Sequence, residues 1–202
     1  MQIELREAIR GAEAAFGLAL SDSVIDRLTD YYELVQSNNA LLHLVGPCSA
    51  EEFATRHILE SLTLLKHLPD GAKFADVGPG GGLPSIPCLL VRDDLRATLI
   101  ESKEKKAKFL TEAIETLELA SRAMVVNKQY SEYDPGDAQL VACRALDRFT
   151  DKLPHLARWS KKRTLLLFGG ESMRDGLQRL KLDFAQELIP LSERRFLFKI
   201  HP

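Results

Sequence analysis

The chain has 202 residues, 45% of them hydrophobic and 28% charged, the balance of a soluble globule long enough to bury a core and short enough to be a single domain. Its formal net charge of -2 excludes the global basic signature of a nucleic-acid-coating protein and leaves room only for local patches. Cys48, Cys88 and Cys143 are odd in number and far apart, which indicates neither zinc nor a disulfide framework, and no signal-peptide core or uncharged run of ~20 apolar residues appears, so a cytoplasmic protein is expected.

Two amphipathic helices come first. Leu5, Ile9, Ala12 and Phe16 recur at helical spacing, as do Val24, Ile25, Leu28, Tyr32 and Val35, with Ser21 or Ser23 as a cap. Ser49 to Glu52 reads as a capping box ahead of Phe53, Ile58, Leu62, Leu65 and Leu68, and Pro69-Asp70-Gly71 closes that third helix. Residues 1–70 are expected to form a helical cap on a core of residues 71–202.

From Lys73 onward, short apolar runs alternate with helical patterns. Strands are predicted at 73–77, 97–101, 123–127, 139–143 and 164–168, with helices over 84–91 and 102–119 and another around Leu146, Phe149, Leu153 and Leu156. Such alternation argues an α/β fold with a parallel, doubly wound sheet. Two final runs, 184–190 and 194–200, are joined by too few residues for a crossover helix and should pair antiparallel.

The stretch Phe74 to Pro87 (FADVGPGGGLPSIP) concentrates backbone freedom at the carboxyl end of the first strand, where ligands of such sheets bind. Gly78, Gly80 and Gly82 let the chain turn sharply and approach a ligand, and Pro84 suits the first turn of the next helix. Leu83 stands where a dinucleotide fingerprint needs glycine. Asp76, buried by its neighbours, should satisfy amides of this loop. Glu101 closes the second strand, where a carboxylate can accept hydrogen bonds from a ribose diol or cap the following helix. Loop and acid together point to a nucleoside-containing cofactor. By fold analogy, a reversed last strand favours S-adenosylmethionine over NAD and a class I, Rossmann-like methyltransferase with seven mostly parallel strands.

With those residues in view, the chain resembles the bacterial 16S ribosomal RNA guanine-N7 methyltransferases, the RsmG or GidB family. RHILES (56–61), DVGPGGGLPSIP (76–87), TLIESKEKKAKFL (98–110), CRAL (143–146) and ERRFLFKI (193–200) carry the likeness. The resemblance implies a cofactor site lined by Gly78, Gly80 and Leu83, with Glu101 on the ribose; Asp76 and Gly82 are counted with them as cofactor-binding residues of the same loop. It puts Tyr130 and Ser131 at the adenine end and Arg144 at the mouth shared with substrate, as the catalytic candidate. It implies a monomer acting on 16S ribosomal RNA or a small-subunit precursor, with neither DNA nor a membrane as partner. The family's Asn-Leu-Thr reads His43-Leu44-Val45 here, its Arg-x-Glu reads Gln129-Tyr130-Ser131, and its Lys-Gly reads Gly169-Gly170; Ser85 replaces a glycine and Glu101 an aspartate. These departures mark a divergent member and bear more on RNA specificity than on cofactor binding. Methyl transfer to another RNA or a small molecule, or a non-catalytic RNA- or ribosome-binding protein that kept the fold, are the alternatives.

Guanine N7 carries a lone pair and no proton, so its methylation needs no general base, and no Ser-His-Asp, paired-carboxylate or metal constellation is evident in the sequence. Arg144 could clamp a phosphate or base edge, or pair with Asp147 or another acid. Tyr130 and Tyr133 are candidates to face a cationic product. His57 reads as a packing residue joining cap to glycine loop, Phe149 and Trp159 as core, and the lysines at 103, 105, 106 and 108 as a solvated helix face.

Overall fold

The computed structural model describes residues 2–144, 146 and 149–202. The first 70 residues are helical, with α1 (Gln2–Ala12) and α2 (Asp22–Leu42) leading. Ser21 caps α2, its Oγ accepting the Val24 N–H at 3.3 Å. Ser49 caps the third helical segment, α3 (50–67), by accepting the Glu52 N–H at 3.1 Å. Glu52 turns its carboxylate to Arg56 at 3.1 Å rather than back to the cap, so only one side of the capping box forms. The predicted third helix is continuous but not uniform. Across Phe53–Leu59 it widens into π geometry, with the Glu60 N–H reaching five residues back to Thr55, and it tightens again over Thr63–His67. Such widened turns recur at functional sites.

The remaining elements are β1 (Lys73–Val77), α4 (Ser85–Val91), β2 (Arg96–Ile100), α5 (Glu104–Thr116), β3 (Ala123–Val126), β4 (Leu140–Cys143), α6 (Phe149–Trp159), β5 (Thr164–Gly169), α7 (Glu171–Arg179), β6 (Phe184–Leu188) and β7 (Phe196–Ile200). They build one seven-stranded sheet in the order β3-β2-β1-β4-β5-β7-β6. β1 to β5 run parallel, and β7 runs antiparallel to both β5 and β6, as the short link between the last two strands requires. Helix α7 has no counterpart among the sequence predictions. Only Met173, Gly176 and Leu177 of its residues are buried, and Gly176 is there for closeness: a Cβ on it would stand 2.9 Å from Leu153 Cδ2.

Strand alternation splits the core into two layers. Phe74, Leu99, Leu140, Ala142, Leu166 and Phe168 face the layer formed by α1 to α5. Ala75, Val77, Val141, Cys143, Leu165 and Leu167 face α6 and α7 through Leu153, Leu156, Met173 and Leu177. Phe149 and Trp159 pack partly buried on that second layer. The helical cap is therefore one side of the sheet's own core. Cys88 and Cys143 are buried thiols and Cys48 is half-buried; none is in a disulfide. Among the described residues no helix is long and apolar enough to cross a membrane.

The strand order reverses between β1 and β4, which opens a crevice at their carboxyl ends. The glycine loop that follows β1 lies at that opening.

Candidate active site

A cavity of about 360 Å³ occupies the crevice, within the range of small-ligand pockets. Gly78, Pro79, Gly80 and Leu83 of the glycine loop line it, with Glu101 and Ser102 after β2, His57 of α3, and Arg144 after β4. The loop needs its glycines at two places above all. Gly80 sits at φ 56°, with its N–H turned to Glu101. Gly82 sits at φ 95°, and a Cβ there would come within 2.4 Å of Ile86 Cδ1. Helix α2 steadies the loop: the buried Tyr31 hydroxyl donates to the Gly81 carbonyl at 2.8 Å. Burial raises the Tyr31 pKa well above its usual value, so the hydroxyl stays a donor.

Glu101 is buried, with 5% of its surface exposed. One carboxylate oxygen accepts the Gly80 N–H at 3.1 Å and the other the Lys103 N–H at 2.9 Å, while Asn127 Nδ2 donates to the Glu101 main-chain carbonyl at 2.8 Å. The carboxylate therefore ties loop to α5, as a helix-capping acid would, and still lines the cavity. A carboxylate has about four acceptor sites, so two remain after these bonds. That is the donor-accepting capacity a ribose diol needs, and the residues present fit such a group.

Asp76 does not line the cavity; it lies fully buried beneath it. Its Oδ2 accepts the Ser85 N–H at 3.3 Å and the Ser85 hydroxyl, which holds the start of α4 under the loop. The expectation that Asp76 serves loop amides is met through Ser85, the residue that replaces a glycine of the resembled family. Its Oδ1 has no partner among the described residues. Burial lifts the carboxyl pKa to about 8, against the pull of the two Ser85 bonds. Around neutral pH this group is substantially protonated, which removes the cost of an unpaired buried charge.

Arg144 is largely buried, its side chain 14% exposed, and turns onto the widened turn of α3. Nη1 donates to the His57 carbonyl at 3.3 Å and to Ser61 Oγ at 3.1 Å; Nη2 donates to the Arg56 carbonyl and to His57 Nδ1 at 3.3 Å. Its acid partner is Glu60, at 3.7 Å. Asp147, the partner considered from sequence, lies outside the described residues. Glu60 also pairs with Arg195 at 2.8 Å, just before β7. A guanidinium only donates, so His57 Nδ1 must accept and the ring proton sits on Nε2. Burial first, then the neighbouring Arg144, Arg56 and Arg195, lower the His57 pKa to about 3, and the ring is neutral under ordinary conditions. His57 therefore braces Arg144, whereas Tyr31 makes the cap-to-loop bond expected of it.

Two predicted residues fall elsewhere. The Tyr130 ring packs edge-on against His155 and Trp159, at 5.5 Å and 5.3 Å between centroids, with its hydroxyl 3.1 Å from His155 Nδ1. Ser131 borders a separate surface hollow with Trp159 and Lys162. Neither lines the cavity: the short helical turn 130–132 after β3 packs Tyr130 onto α6 and leaves Ser131 exposed. Conversely, sequence reading missed Tyr31, Ser61, Glu60, Asn127 and Arg195. Glu60 and Ser61 stand inside RHILES, where an acid at a position facing the core was the available signal. Among the described residues no cluster of His, Cys, Asp and Glu is placed to hold a metal.

Comparison with known proteins adds an independent line. A family model described as rRNA small subunit methyltransferase G (GidB) matches residues 24–192. The ribosomal RNA small subunit methyltransferase G of Neisseria meningitidis is 34% identical over 149 residues, spanning 74% of this chain and 72% of that protein. The protein of the same name from Sorangium cellulosum is 36% identical over 148 residues, 70% of this chain and 62% of its own length. Among solved structures, the B. subtilis M1A22 tRNA methyltransferase TrmK superposes with a TM-score of 0.53 at 16% identity, over 71% of this chain and 65% of that one. At that identity the likeness speaks for the fold.

Proposed function

The chain belongs to the rRNA small subunit methyltransferase G family, and from that premise we propose that it methylates N7 of a guanine in 16S ribosomal RNA, using S-adenosylmethionine. The observation that carries the reading is the crevice at the strand-order reversal, where the loop of Gly78 and Gly80 meets the Glu101 carboxylate. When bound, S-adenosylmethionine supplies an electrophilic methyl on a sulfonium. Gly78, Gly80 and Leu83 would form the wall that holds it, Gly82 would set the turn of the same loop, and Glu101 would accept from its ribose hydroxyls. Asp76 supports that wall from below through Ser85. Tyr130 and Ser131 do not line this cavity, the Tyr130 ring packing on His155 and Trp159 of α6.

N7 needs no proton removed, which agrees with a cavity whose one histidine is held neutral and engaged by Arg144. What this chain must supply is orientation, worth several orders of magnitude when a nucleophile is held in line. Arg144 acts here as a positioning residue. With its donors committed to the turn of α3, it holds His57 on the cavity wall rather than gripping substrate.

The direct test supplies labelled methyl donor and unmethylated small-subunit RNA, then locates the methyl by nuclease digestion and mass spectrometry. Label at a guanine N7 is the expected result; label elsewhere, or none, removes the reading. Calorimetry should find binding of S-adenosylmethionine and none of NAD. Glu101→Gln should weaken S-adenosylmethionine by about tenfold, the scale of a charge-assisted hydrogen bond.

A further inference from the structure

The rim of the cavity carries more positive charge than its walls employ. Lys103 and Lys106 reach it from the start of α5, and Lys152 reaches it from α6 on the other side. On the outer face of α5, Lys108 is neutralised by Glu104 at 2.7 Å. Lys106 is different: its Nζ donates to the His43 carbonyl at 3.1 Å and has no carboxylate partner among the described residues. It lies over the glycine loop, 3.8 Å from where a Gly80 Cβ would be. Lys152 likewise has no acidic partner among the described residues, and both side chains are half-buried rather than waving in solvent. A lysine run that reads from sequence as a solvated face thus turns one member inward.

The charge of the proposed cofactor says what this rim is for. S-adenosylmethionine carries a sulfonium, an ammonium and a carboxylate, a net positive charge, so a ring of ammonium groups does not complement it. A polyanion complements it. At the end of β5 the chain itself offers Gly169 and Gly170 and no cation.

We propose that Lys106 and Lys152 form a two-point phosphate clamp that seats the RNA backbone on either side of the base entering the cavity. They are positioning residues for the substrate strand, and the assignment rests on the RNA methyltransferase reading above. Each ammonium that neutralises a phosphate releases a counterion and adds about 0.7 to 0.9 to the salt slope of binding.

The test is filter binding of unmethylated small-subunit RNA across a salt series, for the wild type, Lys106→Gln, Lys152→Gln and the double variant, with calorimetric titration of S-adenosylmethionine alongside. Each single variant should lower the slope of log affinity against log salt by roughly 1 and the double variant by roughly 2. The KM for RNA should rise about tenfold or more in the double variant, with kcat at saturating RNA within a few-fold of wild type and S-adenosylmethionine affinity unchanged. Lys181→Gln, at an exposed position beyond α7, should leave the slope as it is. A double variant with the wild-type slope overturns the clamp, as does one whose defect lies in S-adenosylmethionine binding. Should the wild type fail to methylate any ribosomal RNA while the slope still falls, the clamp stands and the methyltransferase reading is what fails.

Discussion

The two walls of the cavity are built on opposite plans. The wall formed by the glycine loop and Glu101 comes from one stretch, residues 76–101, and is made mainly of backbone: left-handed glycines and amides held by a carboxylate. The facing wall includes His57 of α3 and Arg144 after β4, and it is braced from behind by charge, Arg144 and Arg195 both pairing with Glu60 beside a neutral His57. A wall of backbone tolerates side-chain change but not an added Cβ. A wall of buried ions tolerates backbone adjustment but not the loss of one partner. At the two positions where the chain departs from the resembled pattern, Ser85 binds Asp76 and Glu101 accepts the Gly80 amide, so both serve the loop.

Three measurements would break or sharpen that contrast. The largest effect is expected from Gly82→Ala. At φ 95° an alanine is strained, and its methyl would press on Ile86 from 2.4 Å, so unfolding in urea should show a loss of about 3 to 5 kcal/mol. A loss below about 1 kcal/mol would mean that the loop yields more readily than a backbone-made wall should.

Glu60→Ala comes next. It leaves two arginines without their buried carboxylate, at a cost of about 3 kcal/mol, somewhat moderated because Arg195 is 38% exposed. The same variant should shift transfer to RNA more than it shifts S-adenosylmethionine affinity, because the glycine wall is untouched. Equal losses in both would show that the two walls are not independent.

The smallest effect is a pH dependence. The His57 pKa is lowered in the folded protein to about 3, against roughly 6.5 in the unfolded chain. The unfolded state therefore takes up the proton first. His57 contributes no penalty above about pH 6.5, and stability falls progressively as pH drops towards 3. At pH 5 the loss should be about 1 to 2 kcal/mol, read as a lower urea midpoint, and His57→Gln should flatten that part of the profile. An unchanged slope in His57→Gln would place the acid sensitivity elsewhere.

Legibility followed the same division. Gly78, Gly80, Leu83 and Glu101, which line the cavity, and Asp76 and Gly82, which belong to the same loop without lining it, were singled out from sequence, since a glycine turn between a strand and a helix is a local pattern. Arg144 was found by its place after a strand, but its direction was not: whether it meets a substrate or the carbonyls of α3 depends on a helix that ends nearly 80 residues earlier in the chain. Tyr130 and Ser131 were assigned by family position; neither lines the cavity, and the Tyr130 ring packs on α6. Helix α7 escaped because its buried face is just Met173, Gly176 and Leu177, too narrow a stripe to stand out among polar residues.

What the chain determines by itself is the alternation of strands and helices, the reversed last strand, and a loop that only glycine can follow, because these depend on local φ preferences, side-chain period and link length. Which charges meet was decided by the tertiary structure alone. Ion pairs such as Glu60 with Arg195 and inward-turned groups such as Lys106 join residues with no fixed spacing, and their energies exist only once packing has removed water from around them.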